Sequence, residues 1–212
     1  DNPNYTHSDA DLDGNTTYIT KGSNIAFEKG MLLITSAGNS GANGIAAPAD
    51  AAGVFTIGAV KADGTYASFS SVGSTNQPSL KPDVVAQGQT SYVINESGGV
   101  STANGTSFSS PILAGGITCL WQALPNLSNA EIMQLVRESA SQYTTPDYFL
   151  GYGIPDLSLA LQTGLSVNQI SSEPLDIKVY PNPAKQNVYV TLPSGITKAR
   201  LKLYSILGKK VI

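Results

Sequence analysis

The stretch Asn104-Gly105-Thr106-Ser107-Phe108-Ser109-Ser110-Pro111 limits what this chain can become more than any other. A glycine-led turn places a serine immediately before a helix that runs on through Ile112, Leu113, Ile117, Leu120 and Trp121. Pro111 is expected in the first turn, where a backbone N–H has no intrahelical partner to lose. So apolar a helix should be nearly all buried. Cys119 lies within it and is expected to be a packed thiol, since a reactive one would want exposure and nearby positive charge. As the single cysteine it cannot form an internal disulfide, and it says nothing about the redox compartment.

The residues before this helix read as strands and helices in turn. Met31-Leu32-Leu33-Ile34-Thr35 has the form of a short buried strand delivering the small-residue loop Ser36-Ala37-Gly38-Asn39-Ser40-Gly41, and Val54 to Val60 reads as a second strand. Lys81-Pro82-Asp83-Val84-Val85-Ala86 reads as a turn feeding a third. Ile19, Ile25 and Ala26 fall at helical spacing until Gly30 stops the pattern. Ser128-Asn129-Ala130-Glu131 is a capping sequence ahead of an amphipathic helix through Ile132, Met133, Leu135 and Val136. Strands mixed with helices imply an α/β layout.

Beyond Leu161 the texture changes. A polar stretch over 166–173 gives way to alternating runs over 177–180, 188–192 and 199–204, which read as β-strands. We expect a first domain over residues 1–165, a linker over 166–174 and a partial, all-β, sandwich-like module over 175–212, three strands being too few for an independent sandwich.

Composition narrows the partners. Charged residues make up 13% of the 212, and the formal net charge is −3. Small and hydroxylated residues take their place, as is common outside the cell. A nucleic-acid footprint would need clustered Lys and Arg, so nucleic acid is not expected as a partner. No apolar run approaches the roughly 18 residues that span a bilayer. The chain opens with neither methionine nor a basic-then-apolar leader, as a processed product or an excised fragment would.

A serine at a helix start can simply cap it. It can also do chemistry there, because the free N–H groups and the helix dipole favour the negative charge that forms when a serine oxygen attacks a carbonyl. Gly105-Thr106-Ser107-Phe108-Ser109-Ser110-Pro111 resembles the nucleophile motif of the subtilisin-like serine peptidases, Gly-Thr-Ser-x-[Ala/Ser]-x-Pro. It is not the G-x-S-x-G elbow of esterases, since Ser109 stands in place of the second glycine. The segment Met31 to Gly41 resembles the family's block carrying the oxyanion-hole asparagine, which implies that Asn39 is that residue. The magnitude attached to this donor, about 10²–10³ in turnover, is the one established for a subtilisin that loses it. Residues 80–86 form a third matching block, with Gln87 where the family usually has proline. Gly151-Tyr152-Gly153-Ile154-Pro155-Asp156 resembles the closing segment of bacterial members. The resemblance implies that Ser36, Ala37 and Gly38 line the pocket for the residue before the scissile bond, and that the fold is a subtilisin-like, mainly parallel sheet flanked by helices, present in part.

The resemblance also shows what is missing. The family's acid and base sit in Asp-[Ser/Thr]-Gly and His-Gly-Thr-His blocks, and neither occurs here. The only histidine, His7, lacks the motif around it and is expected to be exposed loop. Because the family's order is Asp, His, Asn, Ser, both residues are expected upstream of residue 1, and these 212 residues alone should be inactive. Removal of upstream strands would expose sheet edges, so the isolated chain is expected to aggregate or stay partly molten. Asp9-Ala10-Asp11-Leu12-Asp13-Gly14 matches the first half of a calcium loop, but Thr20 stands at the twelfth position where a bidentate glutamate belongs; no cofactor or metal is expected, with calcium a minor alternative.

Val179-Tyr180-Pro181-Asn182-Pro183-Ala184 and the later Leu207-Gly208-Lys209-Lys210 resemble the C-terminal sorting domain of type IX secretion. The implied product is a secreted or surface-attached serine endopeptidase, with protein or peptide substrates and the secretion machinery as partners. A different class stays open: a non-catalytic surface-binding or adhesion protein on a degenerate subtilase scaffold.

Overall fold

The computed structural model describes residues 7–171, 178–180, 186–191, 202 and 210. The chain divides into two compact units, residues 1–166 and 167–212.

The first unit is built around a parallel sheet of three strands in the order β1 (Leu33–Ser36), β2 (Val54–Val60), β3 (Val84–Gln87). Leu33 pairs with Val54, and Ile57 with Val84. All seven residues of β2 are buried, as a central strand covered on both faces requires. At the sheet's end, β1 is half-buried along its length rather than fully buried, and Met31 lies outside it and is exposed.

Helix α1 (Tyr18–Glu28) packs on β1 and β2, and helix α2 (Thr106–Ala123) packs on all three strands. The core joins Phe55 and Ile57 of β2 and Val84 of β3 to Leu113, Ile117 and Leu120 of α2 and to Ile132 and Val136 of α3 (Asn129–Glu138). Ser128 caps α3: its hydroxyl accepts from Glu131 N–H at 3.3 Å, and the Glu131 carboxylate accepts from Ser128 N–H at 2.7 Å. Asn129 then donates to the carbonyls of Phe27 and Met31, at 2.8 and 3.0 Å, which ties α3 to the end of α1.

Three expectations for α2 are overturned: its near-complete burial, a packed Cys119 and Pro111 in the first turn. Its buried positions are Thr106, Ser109, Leu113, Ile117 and Leu120, one stripe facing the sheet, while Ile112 and Cys119 point outward and are exposed. Apolar composition all round the helix therefore does not translate into burial all round. Pro111 is the sixth helical residue, in the second turn, where it withholds a donor from the carbonyl of Ser107.

Between β3 and α2 an antiparallel hairpin rises, β4 (Ser91–Ile94) with β5 (Val100–Ala103). Gly98 and Gly99 form its turn, in which Asn95 Oδ1 accepts from the N–H groups of Ser97 and Gly99. The closing segment lies along β3. Tyr152 N–H donates to Asp83 O at 2.8 Å and Val85 N–H to Gly153 O at 3.0 Å. Gly151 has φ +59°, and a Cβ there would lie 2.2 Å from Pro82 O, so only glycine fits.

A buried charge cluster anchors the start of β3. Asp83 accepts from Thr56 N–H at 2.7 Å, from the Lys81 ammonium at 2.9 Å and from two guanidinium N–H groups of Arg137. Lys81 is fully buried and also donates to Val54 O.

Helix α4 (Leu157–Ser171) runs into the stretch that the sequence reading assigns to a linker. In the second unit β6 (Lys178–Tyr180) pairs antiparallel with β7 (Tyr189–Thr191), and the rings of Tyr180 and Tyr189 stack at 5.8 Å. The Pro181–Ala184 opening and the run expected over 199–204 lie outside the described residues, Lys202 excepted.

Candidate active site

The chain turns sharply into α2. Gly105 holds φ 152° and donates its N–H to Gly88 O at 2.8 Å. Just before it, Asn104 Oδ1 accepts from Thr90 N–H at 2.7 Å. Thr90 sits at φ +57°, a left-handed conformation uncommon for a β-branched residue. These contacts tie the base of the hairpin to the turn that presents Ser107.

Ser107 is the second residue of α2 and is exposed. Its hydroxyl makes no hydrogen bond to any described residue. No acidic residue stands in the first turn of α2, so the positive end of the helix dipole is left uncompensated there.

The structure brings Asn39 to the same place. Thr106, buried at the helix start, donates both its N–H and its hydroxyl to Asn39 Oδ1, at 2.9 and 3.0 Å. The Thr106 hydroxyl oxygen in turn accepts from Gly38 N–H at 3.3 Å. With Oδ1 engaged, the amide's Nδ2 is the end left to donate outward. It lies 3.5 Å from the position a Cβ on Gly105 would take, in van der Waals contact with it. An exposed serine hydroxyl and an oriented amide donor thus meet at one helix N-terminus, an arrangement able to stabilise a developing oxyanion.

The loop bearing Asn39 is built from its neighbours. Ser36 ends β1, and Ala37 N–H donates to Ile57 O at 2.9 Å. Ala37 is fully buried in a small cluster with Ile45 and Ala49, so its methyl group is spent on packing. Gly38 is half-buried at φ +108°. On the far side of the loop, Ser71 is fully buried and contacts both residues flanking Asn39. Sequence reasoning singled out neither Ser71 nor the orienting role of Thr106. Thr106 stands within the motif, whereas nothing local marks Ser71.

His7 is exposed and shares no hydrogen bond or ion pair with Ser107. Two carboxylates of the acidic turn near it are satisfied within the turn. Asp11 accepts from Ser8 N–H and hydroxyl, and these bonds hold its carboxyl below the usual carboxylate range. Asp13 accepts from Asn15 and Thr16 with the same effect, the Asn15 N–H being the chief cause. Among the described residues, no three His, Cys, Asp or Glu side chains group to hold a metal ion. No helix among them is long and apolar enough to cross a membrane.

Comparison with known proteins agrees with this architecture. The profile of the Subtilase family matches residues 4–153. The chain belongs to that family. It is 31% identical to Subtilisin DY of Bacillus licheniformis over 141 residues, 65% of this chain and 49% of that protein, and 30% identical to Subtilisin NAT of Bacillus subtilis subsp. natto over 141 residues, 65% of this chain and 35% of that one. Among solved structures, the self-cleaved protease domain of PatA superposes with a TM-score of 0.59 at 24% identity, covering 69% of this chain and 54% of that one. That likeness shows the fold, a subtilisin-like sheet flanked by helices. The chain spans about half the length of Subtilisin DY, and less of Subtilisin NAT. Residues 178–212 match the profile of the secretion system C-terminal sorting domain, which marks a protein for type IX secretion to the cell surface or beyond.

Proposed function

We propose that this chain is the nucleophile-bearing part of a secreted serine endopeptidase. Ser107 Oγ attacks the carbonyl carbon of a peptide bond, and the resulting oxyanion is held by Asn39 Nδ2 and the Ser107 N–H. The C–N bond then breaks, the amine leaving with the proton taken from the serine and the acyl group staying on Oγ as an acyl-enzyme. Water then releases the acyl group. Attack needs a base to take the serine proton and an acid to orient that base. The described residues offer neither beside Ser107, so an Asp and a His from the remainder of the catalytic unit complete the triad, and these 212 residues alone are inactive. No cofactor is called for, because side chains and backbone supply every step.

Substrates are proteins or peptides, with Ser36, Ala37 and Gly38 beside the residue preceding the scissile bond. Since Ala37 is packed against Ile45 and Ala49, that segment contributes mainly backbone. The sorting module engages the secretion machinery.

The observation that supports this reading is the double hydrogen bond to Asn39 Oδ1 from Thr106, the residue before Ser107, which leaves Nδ2 as the end of the amide able to donate. A fluorophosphonate probe, which phosphonylates activated serines, tests it on the full-length protein and its Ser107→Ala variant. Labelling that disappears with Ser107 is the expected result. A folded, fully processed protein that takes no label would overturn the reading in favour of a surface-binding protein on an inherited scaffold.

A further inference from the structure

Asn39 is exposed, yet an oxyanion donor works only if its position is held before the charge forms. Thr106 fixes the end of its side chain. Its backbone needs a separate support, and Ser71 is the residue placed to give it.

Ser71 Oγ accepts from Ser40 N–H at 3.0 Å, and Ser71 N–H donates to Gly38 O at 2.9 Å. One buried residue therefore grips the backbone on both sides of Asn39. The fit is close: a Cβ on Gly38 would lie 2.8 Å from Ser71 Oγ. The grip is also rooted in the core. Ser70 Oγ accepts from Ala59 N–H on β2 at 2.9 Å, and Ala67 N–H donates to Ala59 O at 3.1 Å. Two further bonds, Gly41 N–H to Phe69 O at 2.9 Å and Val72 N–H to Gly41 O at 3.0 Å, continue the seam beyond Asn39. The central strand thus holds residues 67–72, and Ser71 passes that rigidity to the loop.

We propose that Ser71 is a positioning residue for Asn39, acting on catalysis only through the oxyanion donor. The proposal rests on the reading of Asn39 given above. Removing the Ser71 hydroxyl leaves Ser40 N–H without its acceptor and frees one side of the loop. Asn39 Nδ2 then samples positions beyond the roughly 2.7–3.1 Å at which such a donor is effective.

A double-mutant cycle on the full-length protein tests this, with the rate of fluorophosphonate labelling as the readout and melting temperature as the control for folding. Asn39→Ala should slow labelling by about 10²-fold, and Ser71→Ala by about tenfold. The double variant should be no slower than Asn39→Ala, since a positioning residue has nothing left to position. A second variant, Ser71→Cys, keeps a side chain of similar size with a weaker acceptor and should fall between wild type and Ser71→Ala. An additive loss in the double variant would overturn the proposal, because Ser71 would then act independently of Asn39. So would unchanged labelling in a folded Ser71→Ala protein. If Asn39→Ala labels at the wild-type rate while Ser107→Ala does not label, the assignment of Asn39 itself fails, a result distinct from the other two.

Discussion

Replacing Asp83 by alanine should cost this fold much of its stability. The carboxylate is almost fully buried and is the shared acceptor for Thr56 N–H, the Lys81 ammonium and the Arg137 guanidinium. Its removal leaves a fully buried lysine charge with only the carbonyl of Val54 beside it. Breaking a buried ion pair from one side costs about 3–5 kcal/mol, and orphaning a buried N–H about 1–3 kcal/mol. Taking the low end of each gives about 4 kcal/mol, against a total stability of about 5–15 kcal/mol for a typical protein. At about 2–4 °C per kcal/mol for a domain of this size, the melting temperature should fall by about 8–16 °C. Lys81→Met separates charge from packing. It removes the buried ammonium, leaves Asp83 to Thr56 and Arg137, and costs mainly the donor to Val54 O, about 1–2 kcal/mol. Urea denaturation of the full-length protein in both variants, followed by intrinsic fluorescence, measures the difference. Equal losses in the two variants, or a loss below about 1 kcal/mol for Asp83→Ala, would show that an unpaired buried charge is not what dominates here.

Gly105→Ala places a methyl group against Asn39 Nδ2 at a φ that disfavours any side chain, so labelling of Ser107 should slow by at least about tenfold; an unchanged rate would detach Gly105 from the oxyanion site. Thr90→Asn relieves part of the roughly 1–2 kcal/mol cost of a left-handed residue and should stabilise the protein by about 0.5–1 kcal/mol without changing the labelling rate, as thermal melts and labelling kinetics together would show. The Glu131 carboxyl is held below the usual carboxylate range by Ser128, first through the backbone N–H and then through the hydroxyl. Because its folded pKa is depressed, the stabilisation is present above the unfolded pKa and is lost as pH falls through the folded one. Ser128→Ala removes the hydroxyl and keeps the backbone N–H, so it should raise the Glu131 pKa part of the way toward its ordinary value in an NMR titration, and the stability gap between the two proteins should narrow in acid; no change in that pKa would refute the hydroxyl's share of the effect.

Some of this structure could be read from the chain directly, and the reasons differ by element. The Val54–Val60 run is apolar but for Thr56 and rich in β-branched residues because β2 is covered on both faces, so pattern and burial largely coincide. The Ser128 cap was equally plain, since donor and acceptor lie three residues apart. Helix α2 misled for a physical reason: composition reports what a surface is made of, and burial depends on what lies against it. Only the stripe through Leu113, Ile117 and Leu120 meets the sheet. The hairpin β4–β5 carries little signal, because its apolar residues Tyr92, Ile94 and Val100 are exposed while Ser91 is the residue it buries, so no apolar buried face marks it. At the site, Ser107 and Asn39 were visible as motifs. Their coupling through Thr106 was not, since it joins residues 67 positions apart. Ser71 had no local mark at all, as its importance comes from tertiary contacts with Gly38 and Ser40.

Cys119 offers an experimental handle that its buried neighbours do not. It is the only cysteine in the chain, it is exposed, and it stands on the same helix as Ser107. A maleimide dye therefore attaches at one known point without further mutagenesis. The rate at which that thiol reacts in the folded protein, compared with the same protein unfolded in urea, reports how open the outward face of α2 is. A rate near that of the unfolded protein would mark the face as open to solvent, and a strongly slowed one would mark it as covered.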